Sequence, residues 1–272
     1  VVDKKIGFIG AGNMGGAIIA GLLKSNKVAA TNIYAINHSL QSVQNLVNTF
    51  GINKVASIAE IAKISDMLVI GVKPKDVAKV LGEAAHSLSQ HTVIISIAAG
   101  VTLANLEKLV ASKHKIVRVM PNTPSLVGAG MSSITPNELL TEQELADVMT
   151  IFNSLGKAEI VPESMIDAVV GVSGSSPAYI FMLIEAMADG AVLGGMPRQQ
   201  AYTFAAQAVL GSAKMVLETD KHVAELKDMV CSPAGTTIEA VKTLESRGFR
   251  AAIIEAMKSC MDKSAAMSKN SK

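Results

Sequence analysis

The run KKIGFIGAGNMGGAIIAGLL, residues 4–23, constrains the fold more than any other stretch of this 272-residue chain. Lys5–Ile9 reads as a short buried strand, Gly10-Ala11-Gly12-Asn13-Met14-Gly15 as a turn, and the apolar spacing after it as a helix. Each glycine answers a separate demand. Gly10 allows the tight turn, Gly12 lets a phosphate approach the backbone, and Gly15 lets the helix close on the strand. The helix start then offers amide donors and a partial positive charge, which suits a pyrophosphate. A strand, a glycine turn and a helix in that order predict a dinucleotide site; a ligand-free turn is the plainer alternative.

The rest of the first 160 residues keeps the same rhythm. Strands are expected near Asn32–Ile36, Met67–Ile70, Thr92–Ser96 and Lys115–Val119, each followed by polar or helical sequence. That alternation implies βαβ units and a mostly parallel, doubly wound sheet of the Rossmann kind. Residues 128–134 and 157–161 add edge strands, with a helix between them whose Thr141 and Glu144 have capping-box spacing. From Pro162 the strand-like runs stop. Helices are expected at Met165–Val172, Pro177–Leu193, Arg198–Glu218, Val223–Met229, Thr236–Glu245 and Phe249–Met267, punctuated by SGSSP, GGMP and SPAGTT. The fold class is therefore α/β with a dinucleotide-binding domain at 1–161 and an all-helical domain at 162–272.

Composition removes several function classes. Lys+Arg 25 against Asp+Glu 23 leaves a net charge of +2, with no basic run interleaved with aromatics, so no nucleic-acid partner is expected. Two cysteines, Cys231 and Cys260, make no disulfide framework and fit a reducing, cytoplasmic setting. Glu185 and Asp189 interrupt the most apolar helical window, so no membrane span is expected. The N-terminal run has no continuous apolar core of the kind a signal peptide needs. The five histidines show no metal-ligand spacing, and Cys231 has no histidine nearby in sequence to make it a nucleophile.

The second strand ends in Asn37-His38-Ser39, with no carboxylate to hold the ribose hydroxyls of NAD. Neutral groups there tolerate a 2′-phosphate, so NADPH is expected as coenzyme, with NADH as the alternative. Val72-Lys73-Pro74, Ile97-Ala98-Ala99 and Asn122 follow the third, fourth and fifth strands, where ligands of doubly wound sheets bind. These residues are expected to border the coenzyme; ordinary strand-exit turns are the alternative.

The remaining chemistry falls on DMVCSPAGTTIEAVKTLE, residues 228–245. Pro233 and Gly235 halt one helix, and Thr236 to Glu239 start another with capping-box spacing. Exposed amides at such a start, beside Ser232 and two threonine hydroxyls, suit a small carboxylate. An ordinary capped helix start is the alternative.

The chain resembles the pyrroline-5-carboxylate reductase family from end to end. The likeness rests on FIGAGNMG, VKP, SIAAGVT, RVMPNTP, GVSGSSPAYIF, GMPRQQA, LGSAKM and above all LKDMVCSPAGTTIEAVKTLESRGFRAAI. It implies a Rossmann domain, then helices that interlock with a second subunit in a homodimer, with larger rings of dimers in some members. It also implies hydride transfer from NAD(P)H to C5 of a small cyclic imine, giving L-proline. By this likeness Ser232, Gly235, Thr236 and Thr237 hold the substrate carboxylate, and the Thr237 hydroxyl bonds the ring nitrogen. Ser176 and Ala234 stand where the family usually has glycine, and His38 stands where it often has arginine. The nearest rival, the β-hydroxyacid dehydrogenases, uses a lysine on a helix that here, in SGSSPAYIFMLIEAMADG, contains none. A non-catalytic NADP-sensing module is a second rival, but it has no need of SPAGTT.

The expectation of a dimer also comes from the residues. Helices such as YTFAAQAVLGSAKMVLE are small or apolar on several faces, more than a few short helices can bury. A compact monomeric bundle is the alternative.

Overall fold

A computed structural model describes residues 2–110 and 113–270 of the chain. The first half runs β1 (Ile6–Ile9), α1 (Asn13–Lys24), β2 (Ile33–Ile36), α2 (Leu40–Phe50), β3 (Asn53–Lys54), α3 (Ile58–Ile64), β4 (Met67–Ile70), α4 (Pro74–Ala85), β5 (Val93–Ser96), α5 (Leu103–Leu109), β6 (Lys115–Met120), β7 (Gly130–Pro136), α6 (Glu142–Asn153) and β8 (Gly156–Ile160). The strands form one sheet in the order β3-β2-β1-β4-β5-β6-β7-β8, parallel throughout except for the antiparallel pair β6–β7. Sequence pattern misses only β3, a two-residue strand too short to show a period.

Strands β1, β4 and β5 are buried at every position because helices cover both faces of the sheet. Alternate residues therefore serve opposite cores. Phe8, Val69, Ile95 and Val117 join Ile18, Leu22 and Phe152 on one face. Ile9, Leu68, Ile70 and Ile94 join Ile61, Val77, Leu81 and Leu106 on the other. With β2 on one side of β1 and β4 on the other, the chain reverses its strand order at β1. The carboxyl ends of β1 and β4 thus flank the crevice where ligands of such sheets bind.

The helix expected over Met165–Val172 is not a single α-helix. A 3₁₀ turn (Glu163–Met165) leads into α7 (Ile166–Val169), followed by a π-helical turn (Val170–Gly174). Side chains account for the wider turn. Ser173 Oγ donates to the Val169 carbonyl at 3.0 Å, and Asn122 Nδ2 donates to the Ser173 carbonyl at 3.0 Å, drawing that backbone out of α register.

Two compact units result: Val1–Gly174 with Cys260–Lys272, and Ser175–Ser259. The last strand ends at Ile160, beside the expected boundary of Val161–Pro162, whereas compactness divides the chain at Gly174. Two attachments explain the offset. Glu163 Oε1 accepts from Leu103 N and Arg118 Nη1, each at 2.8 Å, and Ser264 Oγ donates to Asp167 Oδ1 at 2.6 Å.

The second unit holds α8 (Ser176–Leu193), α9 (Arg198–Glu218), α10 (Val223–Val230), α11 (Thr236–Ser246) and the start of α12 (Phe249–Asn270). Helices α8 and α9 pack on one another, and the turn between them is tied by an ion pair from Arg198 to Asp189. The buried apolar residues described in this unit are Ala188, Ala201, Ala205 and Leu226. Phe181, Met182, Phe204 and Ile254 stay exposed, the last by 66%. A helical layer with so little interior leaves an apolar surface that calls for cover.

One finding departs from expectation. The helical run Glu163–Leu193 is long and apolar enough by composition to cross a membrane, with a mean hydropathy of 1.3 in its best window, of which 11% is buried. The same property marks a helix face awaiting a protein partner.

Candidate active site

The glycine turn separates into two kinds of position. Gly10 has φ +94°, and a Cβ on it would lie 2.7 Å from the Gly71 carbonyl carbon and the Val72 nitrogen. A Cβ on Gly15 would lie 2.6 Å from the Gly10 carbonyl oxygen. Both glycines are required by the close approach of α1 and β4 to the turn. Gly12 is different, because a Cβ there would meet nothing within 4 Å. The space in front of it is open.

That space belongs to a cleft of about 640 Å³, a size typical of small-molecule sites. Gly10, Gly12, Asn37, His38, Val72 and Lys73, all expected at the site, line it. Gly12 is the N-cap of α1 and gives the helix no side-chain cap. The first amides of α1, at Asn13, Met14 and Gly15, thus have no intrahelical acceptor, and they follow directly on the open position. The cradle at Gly12, the uncapped amides and the switch-point crevice together fit a dinucleotide pyrophosphate.

Several expected coenzyme residues have structural duties as well. Asn37 Nδ2 donates to Ser42 Oγ at 2.7 Å and its Oδ1 accepts from His38 N at 2.9 Å, so its carboxamide braces the β2–α2 turn. Ser39 caps α2. Ala11 is 4% exposed in the first core, and Ala98 lies in the second. Pro74 opens α4, with Lys73 as its N-cap. Ile97 N donates to the Ile70 carbonyl at 3.2 Å, and Ala99 follows in the β5 exit. Asn122 is buried: its Oδ1 accepts from Met131 N at 2.9 Å while its Nδ2 holds Ser173. Ala11, Asn13, Met14, Gly15, Ser39, Pro74, Ile97, Ala98, Ala99 and Asn122 are not in the cleft wall. Gly71, Lys75 and Asp76, from the GVKPKD exit of the third expected strand, and Ile58 are in that wall, as are Lys79, Val80 and Glu83, which sequence reasoning misses. The four-residue spacing of Lys75, Lys79 and Glu83 on one face of α4 was the available signal.

In the second unit, SPAGTT forms a tight reversal. Gly235 N donates to the Ser232 carbonyl at 3.0 Å, and Ala234 has φ +57°. Proline second and a left-handed residue third are the pattern of a type II turn, in which glycine fits the third position without strain and Ala234 carries a Cβ there. A Cβ on Gly235 would lie 2.4 Å from Ser232 Oγ, so that hydroxyl sits directly against the helix start.

The expected capping box at Thr236 and Glu239 does not form. Gly235 is the N-cap of α11, without a side-chain cap, and Thr236 is already helical. The turn from Ser232 to Gly235 starts the helix one residue too early for Thr236 to cap it. The amides of Thr236, Thr237 and Ile238 are thus left uncapped, with the Ser232 hydroxyl beside the cap and threonines at the first two helical positions. Such a start can accept a carboxylate.

A family model described as pyrroline-5-carboxylate reductase dimerisation matches residues 163–267. Another, described as NADP oxidoreductase coenzyme F420-dependent, matches residues 5–100. The chain is 58% identical to the pyrroline-5-carboxylate reductase of Escherichia coli (strain K12), covering 99% of this chain and 100% of that protein. Among solved structures, a pyrroline-5-carboxylate reductase from Coxiella burnetii matches with TM-score 0.92 and 34% identity, over 98% of this chain and 99% of that one. The Plasmodium falciparum pyrroline carboxylate reductase, solved with NADP bound, matches with TM-score 0.89 and 33% identity, over 98% of each chain. On the strength of a likeness that runs the length of both sequences, this chain belongs to the pyrroline-5-carboxylate reductase family.

Proposed function

We propose that this protein reduces L-1-pyrroline-5-carboxylate to L-proline, the last step of proline biosynthesis, with NADPH as the preferred coenzyme and NADH as the alternative. The observation that carries the reading is the start of α11, where a tight turn ending in a glycine cap leaves the first amides of the helix without a side-chain cap, in a segment that carries three hydroxyl residues. When bound, the nicotinamide coenzyme supplies a hydride for C5 of the imine.

The residues have separable tasks. Gly12 and the amides of Asn13, Met14 and Gly15 receive the pyrophosphate. Ser232 and the amides of Thr236, Thr237 and Ile238, left open by the Gly235 cap, hold the substrate carboxylate and so fix the ring. Thr237 is partly exposed, and its hydroxyl bonds the ring nitrogen. A cyclic imine carbon becomes a good hydride acceptor once its nitrogen is protonated, and solvent can protonate it near neutral pH. A positioned hydrogen bond then suffices, and no strong acid is needed. Val72, Lys73 and Pro74, with Ile97, Ala98, Ala99 and the Asn122 brace, shape the strand exits; Asn37, His38 and Ser39 shape the adenosine end.

We also infer a homodimer through the helices of residues 162–272, which would cover Phe181, Phe204 and Ile254. Rings of such dimers are a further step in the same assembly. A cytoplasmic location accords with a chain of two cysteines. The β-hydroxyacid dehydrogenase alternative has no support in α8, which carries no lysine.

The test is spectrophotometric. With pyrroline-5-carboxylate added, absorbance of NADPH should fall at a rate proportional to enzyme. Folded protein that shows no substrate-dependent loss with either coenzyme overturns the reading. Light scattering should give twice the chain mass or a multiple of it; a monomer would overturn the dimer.

A further inference from the structure

The coenzyme cleft has a cationic wall that the β2 exit does not explain. At that exit the Asn37 carboxamide is engaged on both sides, and Ser39 and Ser42 bond one another through the α2 start. No carboxylate and no arginine stand there. Across the cleft, Lys75 and Lys79 lie one helical turn apart on α4 and both line the same space as Asn37 and His38. Neither lysine makes an ion pair among the described residues, although Asp76 and Glu83 share their wall. Two exposed ammonium groups without an ion pair among the described residues, lining the same cleft, attract a dianion, and flexible lysines suit a point-charge role without a fixed fork.

We propose that Lys75 and Lys79 of α4 are the residues that select the phosphorylated coenzyme, neutralising the 2′-phosphate of its adenosine from the side opposite β2. This inference rests on the coenzyme reading above. Two other lysines are competing sources of charge: Lys73, the N-cap of α4 in the same wall, and Lys54 of β3, which lines a neighbouring hollow of about 370 Å³ that also touches Ile36 and Asn37.

The experiment uses the full-length protein in its native assembly, with two probes. Adenosine 2′,5′-bisphosphate carries the selected group and adenosine 5′-phosphate does not. Lys75→Gln, Lys79→Gln, the double variant and Lys54→Gln are compared by calorimetry. The double variant should lose about tenfold or more in affinity for the bisphosphate and less than about threefold for the monophosphate, an effect that weakens with added salt. Lys75→Arg with Lys79→Arg should restore it. The ratio of kcat/KM for NADPH over NADH should fall by a similar factor. An unchanged preference in the double variant, or a full loss in Lys54→Gln alone, overturns the inference. If the probes discriminate as expected but neither coenzyme supports turnover of pyrroline-5-carboxylate, the reaction reading fails and the phosphate selection stands.

Discussion

Helices α6 and α11 begin with sequences that look alike, a threonine followed three residues later by glutamate, yet the two starts are built for different purposes. At α6 the Thr141 hydroxyl accepts from Glu144 N at 3.3 Å and Glu144 Oε2 accepts from Thr141 N at 3.0 Å. Glu144 also bonds Lys115 of β6 at 2.6 Å, so that start is closed on itself and fastened to the sheet. At α11 the corresponding threonine is already inside the helix, glycine holds the cap, and no side chain meets the first amides. Helix α1 follows the second pattern with Gly12, while α2, α3 and α5 follow the first with Ser39, Ser57 and Thr102. Hydroxyl caps complete the fold; glycine caps leave donors for a ligand.

The comparison breaks most visibly at α1. Gly12→Ala adds a methyl group where the fold has room and where a phosphate is expected. It should lower kcat/KM for coenzyme about 100-fold, an effect of roughly 3 kcal/mol. Thermal scans should find the midpoint within a few degrees of the parent. Gly10→Ala should do the reverse and fail first in stability, because its Cβ would lie 2.7 Å from β4-exit backbone. Equal stability losses in the two variants would erase the distinction.

At α11, Thr237→Val keeps the shape and removes one hydroxyl. Steady-state kinetics should show kcat/KM for the imine reduced on the order of 10- to 100-fold, the loss of a hydrogen bond worth about 1–3 kcal/mol. Unchanged kinetics would remove Thr237 from the site.

At α6, Thr141→Ala should cost about 1 kcal/mol of stability in denaturant titrations and leave turnover intact. Its pH dependence follows from Glu144. Burial pushes that carboxyl up, but hydrogen bonds from Lys115 and from the Thr141 amide and hydroxyl, with the Lys115 charge, outweigh burial and hold it below its ordinary value. A depressed native pKa contributes stability above the unfolded value and loses it as pH falls through the native value. Thr141→Ala should therefore flatten the acid-side loss. A parallel shift at every pH would contradict the coupling.

The smallest effect belongs to Ala234. Its φ of +57° costs an alanine about 1 kcal/mol relative to glycine, partly offset by the freer unfolded chain of the glycine variant. Ala234→Gly should raise stability by about 0.5 kcal/mol in denaturant titrations. A loss of stability would mean that the alanine methyl makes a contact outside the chain.

The parallel sheet and its glycine turn were legible because burial on both faces writes continuous apolar runs, and because Gly10 and Gly15 are forced by backbone proximity. The capping box at Thr141 was legible for the same local reason. The one at Thr236 was misread because spacing alone does not reveal that Pro233 and Ala234 complete a turn one residue earlier. The π turn after α7 depends on Asn122, more than forty residues away in sequence, and so has no local signature. Lys79 carries only a weak signal, its four-residue spacing from Lys75, because a polar helix face looks the same in sequence whether it meets solvent or a cleft.

The most direct measurement is an amide-resolved NMR titration of the intact assembly with the coenzyme and L-proline. The account predicts shifts at Thr236, Thr237 and Ile238 that saturate with ligand, and none at Glu142 to Glu144. Silent amides at the start of α11, in protein that binds both ligands, would contradict it.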